Sequence, residues 1–295
     1  MSRPDYQGNP YESQPRRISR MIEPQIVTDG AGVKLRRSIA SRALNYLDPF
    51  LLLDEFRSDD PDDYMAGFPM HPHRGIETVT YMLAGVVHHQ DSMGNSGSIE
   101  AGDVQWMTAG RGILHEEMPQ PHQGEMAGFQ LWVNLPAKLK MTQPRYQEIP
   151  SALIPQVNRE DGVSIRVIAG AVDGVHGPVT EIAAHPTYLD VSIPANGSFT
   201  HPIERGHAAF AYVFEGEVRF GIAGNGDGET IRHPKLVVFD DGDYLEARAT
   251  SQPVRFLLVS GKPLYEPIAR YGPFVMNTKE EIEQALQDLR NGTFV

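Results

Sequence analysis

The sequence predicts an all-β protein: two similar antiparallel β-domains followed by one short C-terminal helix. Three observations carry that expectation. From Ile26 to about Val133 the chain runs in short alternating apolar segments, such as Glu77 to Val87 and Gly128 to Val133, broken by Gly, Pro, Asn and Asp. Alternation with a period of two is the strand pattern, and turn chemistry recurring every ten or so residues (roughly 8–12) marks a sandwich or barrel. A second set of such segments follows from Val163 to about Val259. The two sets also share punctuation: Tyr81-Met82-Leu83-Ala84-Gly85 then Gly102-Asp103 in the first, Tyr212-Val213-Phe214-Glu215-Gly216 then Gly242-Asp243 in the second. That is a weak internal repeat, consistent with duplication of one β-domain.

Taken in order, residues 1–25 are expected as a flexible leader, because their first twenty are rich in Pro, Ser, Arg and Gln and lack periodicity. Residues 26–145 form the first domain. Asn134-Leu135-Pro136, Gln143-Pro144 and Ile149-Pro150 punctuate the passage into the second, 146–277. A helix is expected over 278–292. Thr278 and Glu281 make a capping box, Ile282, Ala285, Leu286 and Leu289 make an apolar stripe, and Gly292 supplies the stop.

The bulk numbers narrow the function classes. At 295 residues there is room for two domains, and 40% hydrophobic residues suffice for ordinary cores. A net charge of −12 disfavours direct nucleic-acid binding, because an acidic surface repels phosphate. The absence of cysteine removes disulfides, thiolate ligands and thiol nucleophiles. Residues 1–20 hold no apolar signal core, and no stretch reaches the ~18 apolar residues of a membrane span. A cytoplasmic protein without a membrane partner is expected.

Chemistry concentrates in two pairs, His71-Pro72-His73 and His115-Glu116-Glu117. In a strand, residues two apart share a face. His71 with His73, and His115 with Glu117, would therefore project together. If the two strands face each other, three nitrogens and one carboxylate converge, a donor set suited to a first-row transition ion. Taken singly, each residue has a plainer reading as a surface histidine, a hydrogen-bonded core histidine or a solvated carboxylate. Only the conjunction of two pairs, each beside a glycine-containing turn, favours metal. Glu77 shares parity with His71 and His73 and is expected to face the same interior. His88, His89, His122, His185, His201 and His207 lack such pairing and read as structural or surface groups.

These segments resemble a known family. Gly67-x3-His71-x-His73-x3-Glu77-x7-Gly85 is similar to the first cupin motif, and Gly102-Asp103 with Gly110 and His115 to a modified second one. More specifically, Phe68 to Val79, Gly102 to His115, Asp48 to Phe56, Leu131 to Leu135 and Glu266 to Thr278 resemble the pirin family across nearly the whole chain. The resemblance implies a bicupin of two jelly-roll barrels packed face to face. It implies one divalent metal in the first barrel only, held by His71, His73, His115 and Glu117, with Glu77 near the site but not a ligand. Iron(II) is the implied ion, with Mn, Cu, Ni, Co or Zn as alternatives. It further implies a quercetin 2,3-dioxygenase-like oxidoreductase that opens a flavonol-like aromatic substrate with O2, Glu117 accepting the substrate proton. The alternative it leaves open is a non-catalytic, metal-binding regulatory protein that acts through a protein partner.

Overall fold

The computed structural model describes residues 13–121, 124–221 and 229–295. The first half folds into two antiparallel sheets that enclose a barrel. The larger has the strand order Arg145–Ile149, Val104–Thr108, Ile76–Ala84, Met126–Asn134, Phe50–Ser58, Val33–Ile39, Gln25–Asp29. The smaller has the order Phe68–His73, Ile113–Pro119, Val87–Asp91, Ser96–Ile99. Alternation sorts each strand between two faces. In Ile76–Ala84, Thr80 and Met82 turn into the barrel, whereas Val79 and Tyr81 turn outward and are still fully buried.

What buries that outer face is the second barrel. Val79, Tyr81, Trp106, Phe129 and Leu131 pack against Tyr188, Phe210, Tyr212, Leu257 and Val259 in one apolar cluster. The strands Thr187–Ile193, Ala208–Phe220 and Tyr244–Gly261 supply the second half of it. Two hydrogen bonds cross the interface in opposite directions. Tyr81 donates to Asp190, 2.6 Å, and Tyr212 donates to Glu55, 2.9 Å. Each acceptor is charge-balanced by arginine: Arg255 grips Asp190 at 2.9 and 2.7 Å, and Arg36 and Arg57 each reach Glu55 at 3.2 Å. Tyr81 and Tyr212 open the two matching sequence segments, so the internal repeat is also a structural one. The interior of the second barrel is filled by side chains such as Leu189, Ala211, Phe256 and Leu258.

Two expectations need correction. The leader is not unstructured throughout. Residues 1–12 lie outside the described residues, but Ile18–Ile22 is a strand paired antiparallel with Lys235–Phe239 of the second barrel. Just before it, the Arg16 guanidinium is buried and donates to the carbonyls of His207 and Glu204, both at 2.9 Å. A strand at a sheet edge draws its stability from ladder bonds, so its polar composition conceals it. The glycine-rich segment with Gly224, Gly226 and Gly228, and His122, lie outside the described residues.

Glu77 does not face the histidines. His73 ends a strand of the smaller sheet and Ile76 begins one of the larger, with Gly75 between them at φ 80°. The parity count is broken at that turn. Glu77 therefore joins Val79 and Tyr81 on the face toward the second barrel, where it accepts from the Thr108 hydroxyl at 2.9 Å. Its Oε2 has no hydrogen-bond partner, and burial pushes its carboxyl up to about 7 against the pull of Thr108.

The C-terminal segment packs on the first barrel. The helix Lys279–Asn291 has the capping box of Thr278 and Glu281 and a left-handed Gly292, and it is docked on the first barrel. Arg74 donates to Asp288 at 2.7 Å and lies over the Phe294 ring at 4.4 Å. Val275 packs among Leu51, Ile76 and Met107. Lys140 ties the joint from inside: its buried Nζ donates to the carbonyls of Gly75, 2.9 Å, and Val275, 2.8 Å, and to Asn134 Oδ1, 2.8 Å. Burial lowers its pKa to about 8, and three acceptors are what make the ammonium tolerable there.

Lys140→Met should lower stability by about 3 kcal/mol or more, because it strands three buried acceptors; urea unfolding of the two proteins measures the difference. Glu77 gives a pH-dependent one. The folded protein holds its proton more tightly than the unfolded chain, so its contribution is complete below pH 4.5 and is lost as pH rises to about 7. Glu77→Gln should therefore gain stability relative to the parent between about pH 5 and pH 8, by up to about 3 kcal/mol. Paired melts giving a pH-independent difference would contradict this.

Candidate metal centre

The site begins with strand pairing. Phe68–His73 and Ile113–Pro119 run antiparallel, with His115 directly opposite His71 and Ile113 opposite His73. Directly opposed residues share a face, and so do residues two apart. Hence His71, His73 and His115 point together. Their ring centroids lie 4.5 to 5.1 Å apart, and one nitrogen from each falls within 4.8 Å of the others. Among the described residues this is the one histidine or carboxylate group gathered at ligand distance.

The nitrogens are prepared as lone pairs. His71 Nδ1 lies 2.9 Å from the Pro69 carbonyl, an acceptor that only an N–H can satisfy. An N–H on Nδ1 satisfies that carbonyl, and Nε2 turns to the other rings, 3.1 Å from His73 Nε2. His73 and His115 are held well below the ordinary histidine range, first by burial and then by the neighbouring imidazoles. Neutral imidazole is the form that binds metal. Both ring nitrogens of His115 and Nδ1 of His73 are buried without hydrogen-bond partners. Buried polar atoms left unpaired are costly, and a cation at the point of convergence would take up one nitrogen of each ring. The donor set fits a transition ion.

Glu117 stands two residues beyond His115 on the same strand, after a register irregularity, and is not one of the three clustered groups. It lines the same cavity as His71 and His73. Its carboxylate accepts from the Thr80 hydroxyl at 3.0 Å, and the Gln130 amide meets that hydroxyl at 2.7 Å. The hydroxyl has one proton for two oxygens, the Glu117 carboxylate and Gln130 Oε1, and joins them. The result is a buried relay, Gln130 to Thr80 to Glu117, that fixes the carboxylate beside the imidazoles.

The cavity above these groups has a volume of about 540 Å³, within the size range of small-molecule sites. Its walls are largely apolar, with Leu35, Leu52, Phe56, Phe68 and Met126 among them. Trp132 stands edge-on to His73 at 5.1 Å and braces that ring. Thr80, Gln130 and Trp132 escape sequence reasoning based on metal-ligand pairs. The available signal is polar residues at the inward parity of otherwise apolar strands. Arg37, Asp54 and Arg270 also line the cavity; Arg270 comes from a segment far along the chain and carries no local signal. His89, expected as structural, is buried opposite Glu117 in the ladder, with Nε2 2.9 Å from Glu148.

Removing the innermost ring should empty the centre. In protein grown with a transition metal supplied, His115→Ala should lose bound metal by at least about tenfold while keeping the parent's circular dichroism. Elemental analysis checks it, and unchanged stoichiometry would show that the metal sits elsewhere.

Comparison with known proteins fits this geometry. The family model for Pirin matches residues 32–133, and the model for the Pirin C-terminal cupin domain matches residues 188–295. A Pirin-like protein of Caulobacter vibrioides is 44% identical over 280 residues, covering 95% of this chain and 99% of that protein. The Pirin of Homo sapiens is 43% identical over 268 residues, covering 90% and 89%. A crystal structure of quercetin 2,3-dioxygenase from Acinetobacter baumannii superposes with a TM-score of 0.86 at 36% identity, over 95% of this chain and 98% of that one. Among the described residues no helix is long and apolar enough to cross a membrane. With both barrels matched in order and the relatives covered nearly end to end, the chain belongs to the pirin family of two-barrel cupins.

Proposed function

We propose that this protein is a metal-dependent dioxygenase of the quercetinase type, opening a flavonol ring with O2. One observation carries the reading: three imidazoles converge beside an apolar cavity that His71 and His73 line, with a buried carboxylate next to them. His71, His73, His115 and Glu117 would hold the ion, Fe(II) foremost, with Mn, Cu, Ni, Co or Zn competing by supply. When bound, such an ion supplies redox chemistry and Lewis acidity toward an aromatic hydroxyl and O2. The naming of the Acinetobacter baumannii structure as a quercetin 2,3-dioxygenase supports the substrate class.

The chain's own residues prepare a flavonol for this. Glu117 accepts the proton of the substrate hydroxyl that approaches the imidazoles. Thr80 keeps the carboxylate aimed by donating to it, and Gln130 keeps Thr80 aimed. The apolar walls desolvate the aromatic body and exclude water from the reacting end. Trp132 holds the His73 plane, so the histidine does not rotate away when substrate enters.

The test is direct. Iron is loaded anaerobically, quercetin and O2 are added, and flavonol absorbance and carbon monoxide are followed. The parent should consume flavonol and release carbon monoxide. Glu117→Gln should lower kcat by about 10²-fold or more, the usual share of a general base. Flavonol loss no faster than with metal-free protein would overturn the enzymatic reading in favour of a metal-binding protein that acts through a protein partner.

A further inference from the structure

His73 is the last residue of its strand, and the far end of the chain comes back to meet it. The strands Ala269–Tyr271 and Phe274–Met276 pair as a hairpin that turns at Gly272-Pro273. This hairpin lies along residues 73–75 in parallel register. Arg74 forms a bridge with Phe274, and the Val275 N–H donates to the Arg74 carbonyl at 3.1 Å. Gly75 meets Val275 so closely that a Cβ on it would collide with the Val275 carbonyl oxygen. One step back in the same register, Pro273 stands by His73. Its carbonyl receives the Arg74 N–H only at 3.5 Å, a weak bond that leaves the oxygen with acceptor capacity.

That carbonyl is the backbone hydrogen-bonding group that bears on the His73 ring. Nε2 of the ring is turned to His71, 3.1 Å from the Nε2 there. Nδ1 is the nitrogen at the back, buried and without a well-formed hydrogen bond. Proline has no N–H, so Pro273 offers the ring an acceptor alone, and only an N–H on Nδ1 can use it. A proton fixed on Nδ1 leaves the lone pair on Nε2, toward the other imidazoles. The hairpin also reaches the ring through Trp132: the exposed Arg270 lies over the indole at 5.0 Å, and the indole stands edge-on to His73 at 5.1 Å.

We infer that the C-terminal hairpin is part of the metal centre, with the Pro273 carbonyl accepting a hydrogen bond from His73 Nδ1 and so presenting Nε2 to the ion. This rests on the reading of the three imidazoles as a metal site and not on ring opening. Pro273 and Trp132 are positioning residues that act through His73. A cation on Nε2 makes the N–H on Nδ1 a stronger donor, so binding of the ion tightens the bond to Pro273. Coupling of this kind is reciprocal: docking of the hairpin raises metal affinity, and metal holds the hairpin down.

The full-length protein with zinc as the probe tests both directions. Gly272 has φ 54°, and a Cβ there would meet nothing within 4 Å, so Gly272→Val strains only the turn that aims Pro273. Gly206→Val, at φ 79° and in equally open space on the second barrel, is the control. Zinc affinity, measured against a competing chelator, should fall about tenfold or more in Gly272→Val and stay within about twofold of the parent in Gly206→Val. In the zinc-loaded parent, imidazole nitrogen spectra should show His73 bound through Nε2 with a slowly exchanging proton on Nδ1. Zinc should also slow amide exchange at Val275 in the parent. The parent measurements decide the matter even if Gly272→Val is unstable. Unchanged affinity in folded Gly272→Val overturns the inference, as does zinc on Nδ1 of His73 or a Val275 amide indifferent to zinc. A parent that binds no zinc at the histidines overturns it together with the metal reading. If zinc behaves as expected but quercetin is not consumed, the hairpin's role stands and only the ring-opening reading falls.

Discussion

The centre depends on one alignment: His115 directly across from His71 in an antiparallel ladder. Everything else at the site is referenced to it. The strand pleat brings His73 to the same side, the proline carbonyl at residue 69 meets His71 Nδ1, and burial keeps His73 and His115 neutral. A slip of one residue would send His115 to the opposite face and replace it with Leu114 or Glu116. The backbone ladder fixes that pairing. The convergence is paid for by the fold, through the apolar packing that buries both sheets.

The second constraint is the interface between the barrels. An outward-facing sheet surface of Val79, Tyr81, Trp106 and Leu131 could not stand in water, and the second barrel covers it with a comparable surface. The paired tyrosine-to-carboxylate bonds, one from each side, give this apolar contact a register. Each carboxylate is already balanced by arginine, so burying it does not leave an uncompensated charge. The symmetry of the two ties is the clearest physical trace of the repeated half.

Much of this was legible in the sequence, and the misses share a cause. Strand alternation, turn residues and the capped helix are local features, and local periodicity identifies them. His71, His73 and His115 were found because a two-residue spacing on a strand has one geometric meaning. Glu77 was misplaced because parity was counted through Gly75, where the chain passes from one sheet to the other. Ile18–Ile22 was missed because an edge strand held by ladder bonds needs no apolar pattern. Thr80, Gln130 and Trp132 needed the barrel's interior parity, which is visible only once strand neighbours are known. Arg270 needed the return of the C-terminal segment across the molecule, and no local pattern announces such a crossing.

That return has a temporal side. A ribosome makes the three histidines well before the 269–294 stretch, and domains generally fold as they emerge. Until that stretch arrives, Lys140 lacks the Val275 carbonyl, one of its three acceptors, and the mouth of the chamber lacks the Arg270 guanidinium. The nascent first barrel is therefore an unfinished vessel, open at the rim while the rest of the polypeptide is still being built. Completion of the pocket thus waits on synthesis of the second barrel.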